Sequence, residues 1–326
     1  MVMAQSLFMT LQQRYPAAQI DVIAPTWSGA LLGRMAEVNR YIEMPLGHGR
    51  LELGVRYQLG RSLREGGYAQ AIVIPRSWKS AVVPAAAKIP LRTGYRGEMR
   101  YGLLNDIRSL DKSILRQTVQ RYVALGLAVG APLPPSVIPE PRLLVNQAHQ
   151  AALVEQFSLS SDAPVVGLMP GAEYGPAKCW PIEYYGELAR RLMAAGYQVW
   201  LFGSPNDQQS CTAIATAAPG VKDLSGKTAL VDVVDLIALC KLVVCNDSGL
   251  MHIAAATGVH VVALYGSSTP AYTPPLTASA DICYLDLACS PCFKRTCPRT
   301  TSGEQLQCLY GITVDSVFQH CRSVEW

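Results

Sequence analysis

The stretch Leu242-Val-Val-Cys-Asn-Asp-Ser-Gly-Leu-Met-His-Ile-Ala-Ala-Ala-Thr-Gly258 contains the pattern on which the prediction of the fold depends. Its apolar start is typical of a strand buried on both faces of a parallel sheet, and its apolar end predicts a short helix. The polar turn between them, with Asp247, Ser248 and Gly249, offers free N–H groups and the positive end of a helix dipole to an anion. His252, one turn into the helix, is placed to donate to that anion. The alternative is that Asp247 or Ser248 only caps the helix and that His252 is a core residue.

The same succession of buried strand, loop and helix recurs along the chain. Between two strands of the second half, residues 181–196 place Tyr185, Leu188 and Leu192 at helical spacing. The predicted strands of this half are Val165–Met169, Gln198–Phe202, Leu242–Cys245 and Val259–Tyr265. In the less regular first half we predict helices at Met1–Tyr15 and Leu51–Glu65, and strands at Asp21–Ala24 and Ala71–Ile74. Alternating strands and helices predict an α/β fold with doubly wound parallel sheets.

Length and composition indicate two folded domains. The chain has 326 residues, of which 50% are apolar and 16% charged, so each domain can bury a core and disorder is not expected. Five prolines between Pro132 and Pro141 indicate a stiff linker. We therefore predict domains at 1–140 and 141–326. Because there is no membrane-spanning apolar run and no signal-peptide pattern, we expect a cytoplasmic protein, with peripheral membrane contact left open.

The net charge of +4 is unevenly divided. Residues 1–140 carry 17 Lys and Arg against 9 Asp and Glu, whereas residues 141–326 carry 11 against 15. This asymmetry indicates that the first domain meets an acidic substrate or partner, the alternative being a solvated basic surface. Candidate ligands for that acidic group are Lys79, Arg92, Arg96 and Arg100. The guanidinium groups of the arginines match the geometry of carboxylates and phosphates, and Lys79 adds a positive charge. The alternative for each arginine is an exposed helix face.

A second loop of the C-terminal half carries a lysine. Gly171 follows the predicted strand Val165–Met169, and Lys178 stands just before the next helix. There Lys178 can offer a positive charge to a diphosphate leaving group, although an exposed lysine would need no such role. The loops that end at Asp207 and at Pro270 repeat the pattern, so that four loops together predict a nucleotide-diphosphate site. The chain has no G-x-G-x-x-G motif, no P-loop of correct spacing and no D-x-D carboxylate pair.

Four cysteines are concentrated near the C-terminus, at Cys289, Cys292, Cys297 and Cys308. Four thiols at this density favour a small structural zinc site. Unligated thiols, or a redox or disulfide role, remain alternatives because the spacing is not that of paired C-x-x-C motifs. The other six cysteines are predicted to be reduced and to pack as small apolar residues.

Several of these segments together resemble the ADP-heptose:lipopolysaccharide heptosyltransferase family, most closely its heptosyltransferase II members. The matching segments are Met3–Pro16, Glu43–Gly54, Arg92–Arg108, Pro170–Pro181, Asp223–Leu230 and Asn246–Gly258. The resemblance implies a GT-B architecture, in which two Rossmann-like domains face a central cleft. It further implies that the first domain binds the acceptor and the second binds ADP-L-glycero-D-manno-heptose. The acceptor would be Kdo2-lipid A carrying a first heptose, at the cytoplasmic face of the inner membrane, and transfer would invert the anomeric carbon without a catalytic metal or other cofactor.

By its motifs, the resemblance assigns the donor's diphosphate and heptose to Lys178 and to the turn from Asp247 to His252. Asp207 would meet the ribose or adenine. In the family, a first strand and a glycine-rich loop that ends in an acidic residue precede the stretch that matches Met1–Leu7, and the resemblance implies that this acid is the general base. The sequence holds no counterpart of this acid, so we assign no catalytic residue. We expect a chain without this strand to fold poorly or to be inactive.

Three other functions are weighed against this one. Heptosyltransferase I, or another core heptosyltransferase, would share the same motifs and differ in acceptor. A non-catalytic nucleotide-sugar-binding protein would bind the donor without turnover. A zinc-bearing nucleic-acid-binding protein would leave the glycine loops at the strand ends without a role, and we therefore expect no nucleic-acid partner.

Overall fold

The computed structural model describes residues 1–47, 49–160, 162–301 and 303–324. The chain divides into two compact units. The N-terminal unit contains Met1, Met3–Gly33 and Glu37–Pro139, and the C-terminal unit contains Val2, Arg34–Ala36 and the chain from Glu140 onward. No helix in the described parts of the chain is both long and apolar enough to cross a membrane.

The C-terminal unit is built around a six-stranded, entirely parallel sheet. Its strands are β6 (Val165–Met169), β7 (Gln198–Leu201), β8 (Lys222–Asp223), β9 (Leu242–Asn246), β10 (His260–Tyr265) and β11 (Ala280–Tyr284), in the order β11-β10-β9-β6-β7-β8. Every residue of β6 and β9 is buried, as expected for unalternating apolar strands in the middle of a parallel sheet. The four strands predicted in this half are thereby confirmed to within one residue at each end.

Helices cover this sheet and form the core with it. They are α6 (Gln147–Gln156), α7 (Ile182–Ala194), α8 (Gln208–Ala217), α9 (Leu230–Ile237), α10 (Gly249–Thr257), α11 (Gln307–Tyr310) and α12 (Val314–Ser323). The predicted apolar face of α7 is fully buried, with Tyr185, Leu188 and Leu192 in one cluster with strand residues such as Val166 and Val244. Burial of this continuous apolar surface is the main source of stability.

The N-terminal unit contains two smaller parallel sheets. The first pairs β1 (Ile20–Pro25) with β2 (Val38–Met44), and the second orders β3 (Gln70–Val73), β4 (Leu91–Tyr95) and β5 (Asp106–Arg108) in sequence. Its helices are α1 (Val2–Arg14), α2 (Thr26–Leu32), α3 (Leu53–Ser62), α4 (Val82–Ala86) and α5 (Thr118–Gly126). The predicted helices correspond to α1 and α3, and the predicted strands to β1 and β3.

Candidate functional site

The C-terminal sheet changes direction between β6 and β9. The chain runs from β6 outward through β7 to β8, and then returns to place β9 on the other side of β6. In open parallel sheets such a switch point leaves a crevice at the carboxyl ends of the two strands, where ligands bind. The loop of residues 170–181 follows β6 and the turn of residues 247–248 follows β9. Two of the four loops predicted to form the nucleotide-diphosphate site therefore flank this crevice.

An ion pair joins these two loops. The Lys178 Nζ donates to Asp247 Oδ2 at 2.5 Å, and it lies 5.3 Å from the centre of the Tyr174 ring. The side chain of Lys178 is 18% exposed and that of Asp247 is 5% exposed. Lys178 is therefore held at the crevice by one carboxylate and one aromatic face, and is not a freely solvated lysine.

A buried amide fixes the β6 loop to the end of β9. Asn246 Nδ2 donates to Pro170 O at 2.7 Å, while its Oδ1 accepts from Trp180 N at 3.0 Å and from the Tyr185 hydroxyl at 3.2 Å. Asn246 is fully buried, so these bonds satisfy a side chain that would otherwise be costly to bury. Asn246 was not among the residues predicted to form the site, and the available signal was a lone amide at the end of an unalternating apolar strand.

The beginning of α10 has no side-chain cap. Ser248 occupies the N-cap position, but its hydroxyl makes no capping hydrogen bond, and the Asp247 carboxylate is engaged by Lys178. The alternative that either residue merely caps the helix is therefore wrong. Gly249, the first residue of α10, is exposed, and a Cβ placed on it would meet no atom within 4 Å. The positive end of the helix thus opens onto unoccupied space.

Buried polar atoms without partners collect at the same edge of the sheet. In the described residues, five buried side-chain nitrogen or oxygen atoms lack a hydrogen bond, and four of them lie in α10, its N-cap or the loop after β10. They are Ser248 Oγ, His252 Nδ1, Ser267 Oγ and Ser268 Oγ. Because unsatisfied buried polar groups are rare and costly, this concentration indicates a site prepared for a polar ligand. Ser267 and Ser268 lie in a loop that was predicted to belong to the nucleotide-diphosphate site, but neither serine was predicted as a ligand.

Burial controls the protonation of His252. It lowers the pKa of this imidazole to about 4, so that the ring is neutral at physiological pH. A neutral imidazole has one N–H donor and one acceptor. His252 can therefore donate at most one hydrogen bond to an anion at α10 and carries no positive charge there, and its contact with the donor stays a prediction.

Asp207 and Gly171 are engaged with each other. A Cβ on Gly171 would lie 2.3 Å from Asp207 Oδ1, so the glycine is required by the close approach of this carboxylate. Asp207 Oδ2 accepts from Ser204 N at 2.8 Å and from Ser204 Oγ at 2.7 Å, which closes a capping box around residues 205–207. These contacts within the protein account for the positions of both residues. The contact of Asp207 with the donor's ribose or adenine, and that of Gly171 with the donor, stay predictions.

Two arginines predicted to bind the acceptor instead donate hydrogen bonds to backbone carbonyls of the N-terminal unit. Arg100 is 2% exposed and donates to the carbonyl oxygens of Pro75, Ser77 and Tyr95. Arg92 donates to backbone carbonyls of residues 89, 102 and 103. Both guanidinium groups stabilise loops at the ends of β3 and β4. Their N–H groups donate to backbone carbonyl oxygens and are therefore not available to a ligand.

The other two predicted acceptor ligands remain accessible. Arg96 is exposed and its side chain has no hydrogen-bond or ion-pair partner in the described residues. Lys79 is half-buried and donates to the carbonyl oxygens of Gly49 and Arg50 at 3.1 and 3.3 Å. Both side chains therefore keep donors available to solvent, and their contact with an acidic group stays a prediction.

All ten cysteines are free thiols. Burial raises the pKa of Cys308 to about 11, and the neighbouring thiols of Cys289, Cys292 and Cys297 add to this shift. Within the described ranges, however, no three His, Cys, Asp or Glu side chains are arranged to hold a metal ion. The geometry thus gives no support to the predicted structural zinc site.

Comparison with known proteins agrees with the architecture. The family model of glycosyltransferase family 9 (heptosyltransferase) matches residues 56–302. The chain is 51% identical over 294 residues to lipopolysaccharide heptosyltransferase 2 of Escherichia coli K12, covering 87% of this chain and 84% of that protein. It is 49% identical over 296 residues to lipooligosaccharide heptosyltransferase 2 of Haemophilus influenzae, covering 87% and 85%.

The fold is shared with a solved relative. The structure of E. coli ADP-heptose lps heptosyltransferase II superimposes with a TM-score of 0.86 at 45% identity, over 99% of this chain and 94% of that one. The expected GT-B fold with Rossmann-like domains is thereby confirmed. A family model that matches most of the chain, and relatives about half identical over most of their length, support one conclusion: the chain belongs to glycosyltransferase family 9, the heptosyltransferases.

Proposed function

We propose that the chain is a lipopolysaccharide heptosyltransferase II, which transfers L-glycero-D-manno-heptose from ADP-heptose to the first heptose of the inner core. The observation that carries the proposal is the crevice between β6 and β9, where an ion-paired lysine, an uncapped helix and four unpartnered polar atoms converge. The relatives that match most of the chain are type 2 heptosyltransferases, which favours this acceptor over that of heptosyltransferase I.

The donor's diphosphate fits the beginning of α10. Its oxygens would accept from the free N–H groups there, and Lys178 would supply the positive charge. The hydroxyls of Ser267 and Ser268, and the neutral ring of His252, would provide further hydrogen bonds. Gly249 leaves room for a phosphate beside the backbone.

These contacts act on the leaving group. In a single inverting displacement, the acceptor hydroxyl oxygen bonds to the anomeric carbon while the bond from that carbon to the β-phosphate oxygen breaks. Negative charge grows on ADP as that bond breaks, and Lys178 and the dipole of α10 would stabilise it most strongly in the transition state. The hydroxyl proton must pass to a base, to which we assign no residue.

The N-terminal unit is suited to an anionic, lipid-linked acceptor. The loops after β2, β3 and β4 are neighbours, since Lys79 Nζ donates to Arg50 O and Trp78 N donates to Glu98. Their surface combines the exposed Arg96 with apolar side chains, Met99 at 87% exposure and Tyr101 at 63% exposure. We infer that this surface meets Kdo2-lipid A carrying a first heptose, at the cytoplasmic face of the inner membrane.

Defined acceptors test the proposal. Purified protein is incubated with ADP-heptose and either Kdo2-lipid A carrying one heptose or Kdo2-lipid A alone, and the products are resolved by mass spectrometry. We expect one heptose to be added to the first acceptor only. Transfer to the second acceptor would identify heptosyltransferase I activity, and donor binding without turnover on either would identify a nucleotide-sugar-binding protein.

A further inference from the structure

The cysteine-rich loop, which begins at Cys289, packs against the loops that border the crevice between β6 and β9. Phe293 N donates to Ser267 O at 2.8 Å, and the Ser290 hydroxyl donates to Gly266 O at 2.6 Å. The Phe293 ring stacks on that of Tyr272, with centroids 5.5 Å apart and planes 8° from parallel. These contacts attach the segment Ser290–Arg295 to the loop that follows β10.

The same segment is attached to the loop that carries Lys178. Ala177 N donates to Arg295 O at 3.0 Å, and the Tyr174 hydroxyl donates to Phe293 O at 2.7 Å. A Cβ on Gly175 would lie 2.7 Å from Arg295 O, and this glycine has φ +144°. A side chain at position 175 would therefore prevent the two backbones from approaching so closely.

Tyr174 lies between two cations. The guanidinium of Arg295 is 5.7 Å from the centre of its ring, and the ammonium of Lys178 is 5.3 Å from the same centre. Arg295 also fixes the backbone of Tyr174, because its Nε donates to Tyr174 O at 2.7 Å. Tyr174 as a whole is 41% exposed, so core packing alone does not hold its ring in place.

We propose that Arg295 is a positioning residue of the donor site, which fixes Tyr174 so that its ring steers the ammonium of Lys178 toward the diphosphate. Asp247 fixes the ammonium on one side, and the Tyr174 face limits it on another. Arg295 is then the residue through which this part of the chain acts on the donor site. This inference rests on the proposed binding of the donor diphosphate at Lys178.

A double-mutant cycle tests the coupling between the two residues. ADP affinity is measured by isothermal titration calorimetry for wild type, Arg295→Ala, Lys178→Ala and the double variant. We expect Arg295→Ala to weaken ADP binding about three- to tenfold, the size of one hydrogen bond and one cation–π contact. In the Lys178→Ala background it should have almost no further effect, because its action passes through that lysine.

Matched variants separate positioning from net charge and from folding. Lys294→Ala removes the same charge from the adjacent residue, which is exposed and has no hydrogen-bond or ion-pair partner in the described chain, and should leave ADP affinity unchanged. Tyr174→Phe removes only the hydroxyl that holds Phe293 and should weaken binding about two- to fivefold. This milder variant decides the matter if Arg295→Ala does not fold.

Two results would overturn the inference while leaving the proposed function intact. One is an Arg295→Ala effect of equal size with and without Lys178, which would mean that Arg295 acts independently. The other is unchanged ADP affinity in both Arg295→Ala and Tyr174→Phe. Failure of the proposed function looks different, since the wild-type protein itself would then show no ADP binding.

Discussion

Lys178 and Asp247 are 69 residues apart in the chain, yet the ammonium of one lies 2.5 Å from the carboxylate of the other. Their contact crosses the switch point, since one residue follows β6 and the other follows β9. In the free protein the carboxylate holds the lysine in place. A bound diphosphate would share that lysine, so the pair keeps a cation ready at the crevice without burying it unpaired.

Replacing Lys178 by alanine should weaken ADP binding about 10- to 100-fold, because one charge-assisted hydrogen bond to a phosphate is lost. It should also lower the free energy of unfolding by about 1–3 kcal/mol, since the buried Asp247 loses its cation. Calorimetric titration and urea unfolding measure the two effects. Lys241→Ala is the control, an equal charge change at the exposed amino end of β9. If both variants bind ADP alike, Lys178 has no special role.

Gly249→Ala should separate binding from stability. The added methyl meets no protein atom within 4 Å, so the midpoint temperature of thermal unfolding should be unchanged or slightly raised. It would occupy the space where a phosphate approaches α10, and ADP affinity should fall about tenfold or more. Gly54→Ala provides a control, since that exposed glycine at the start of α3 also has open space around it. Full ADP affinity in Gly249→Ala would place the diphosphate elsewhere.

His252 should make stability dependent on pH. Its folded pKa of about 4 lies below the ordinary value of 6.5, so between these values the unfolded chain binds the extra proton. The free energy of unfolding should therefore fall by about 1–3 kcal/mol as pH drops from 6.5 to 4, with no further loss from this group below pH 4. Urea unfolding at several pH values, compared between wild type and His252→Gln, measures the contribution. An identical pH profile in both proteins would contradict the assignment.

Removal of Arg100 should lower stability, whereas removal of Arg96 should impair acceptor binding. Arg100→Ala leaves several backbone carbonyls without their donor and should lower the free energy of unfolding by about 2–4 kcal/mol. Arg96→Ala should change it by less than about 0.5 kcal/mol, because the side chain is exposed. We expect Arg96→Ala to raise the KM for the lipid acceptor and to leave that for ADP-heptose unchanged. Unfolding and steady-state kinetics check both, and an unaltered acceptor KM would remove Arg96 from the site.

Strands with a strong local pattern could be predicted, and strands with a weak one could not. The run Val165–Met169 is apolar throughout, and its pattern predicts the observed bounds of β6. By contrast, β2 contains Asn39, Arg40 and Glu43, and most of its residues are only partly buried. Its apolar signal is therefore diluted, and it is a strand mainly because β1 provides backbone partners.

Local sequence patterns were sufficient to predict the class of fold and to identify the loops proposed to bind the donor, because buried strands, glycine turns and the residues that follow them are recognised from neighbouring positions in the chain. The strand order that brings Lys178 to Asp247, and the packing of residues 290–295 against Tyr174, became known from the three-dimensional arrangement alone. The tertiary contacts also show that the guanidinium of Arg100 donates to backbone carbonyl oxygens, whereas Arg96 is exposed. The reason is physical: a side chain's availability depends on which donors and acceptors lie around it, and distant parts of the chain supply most of them.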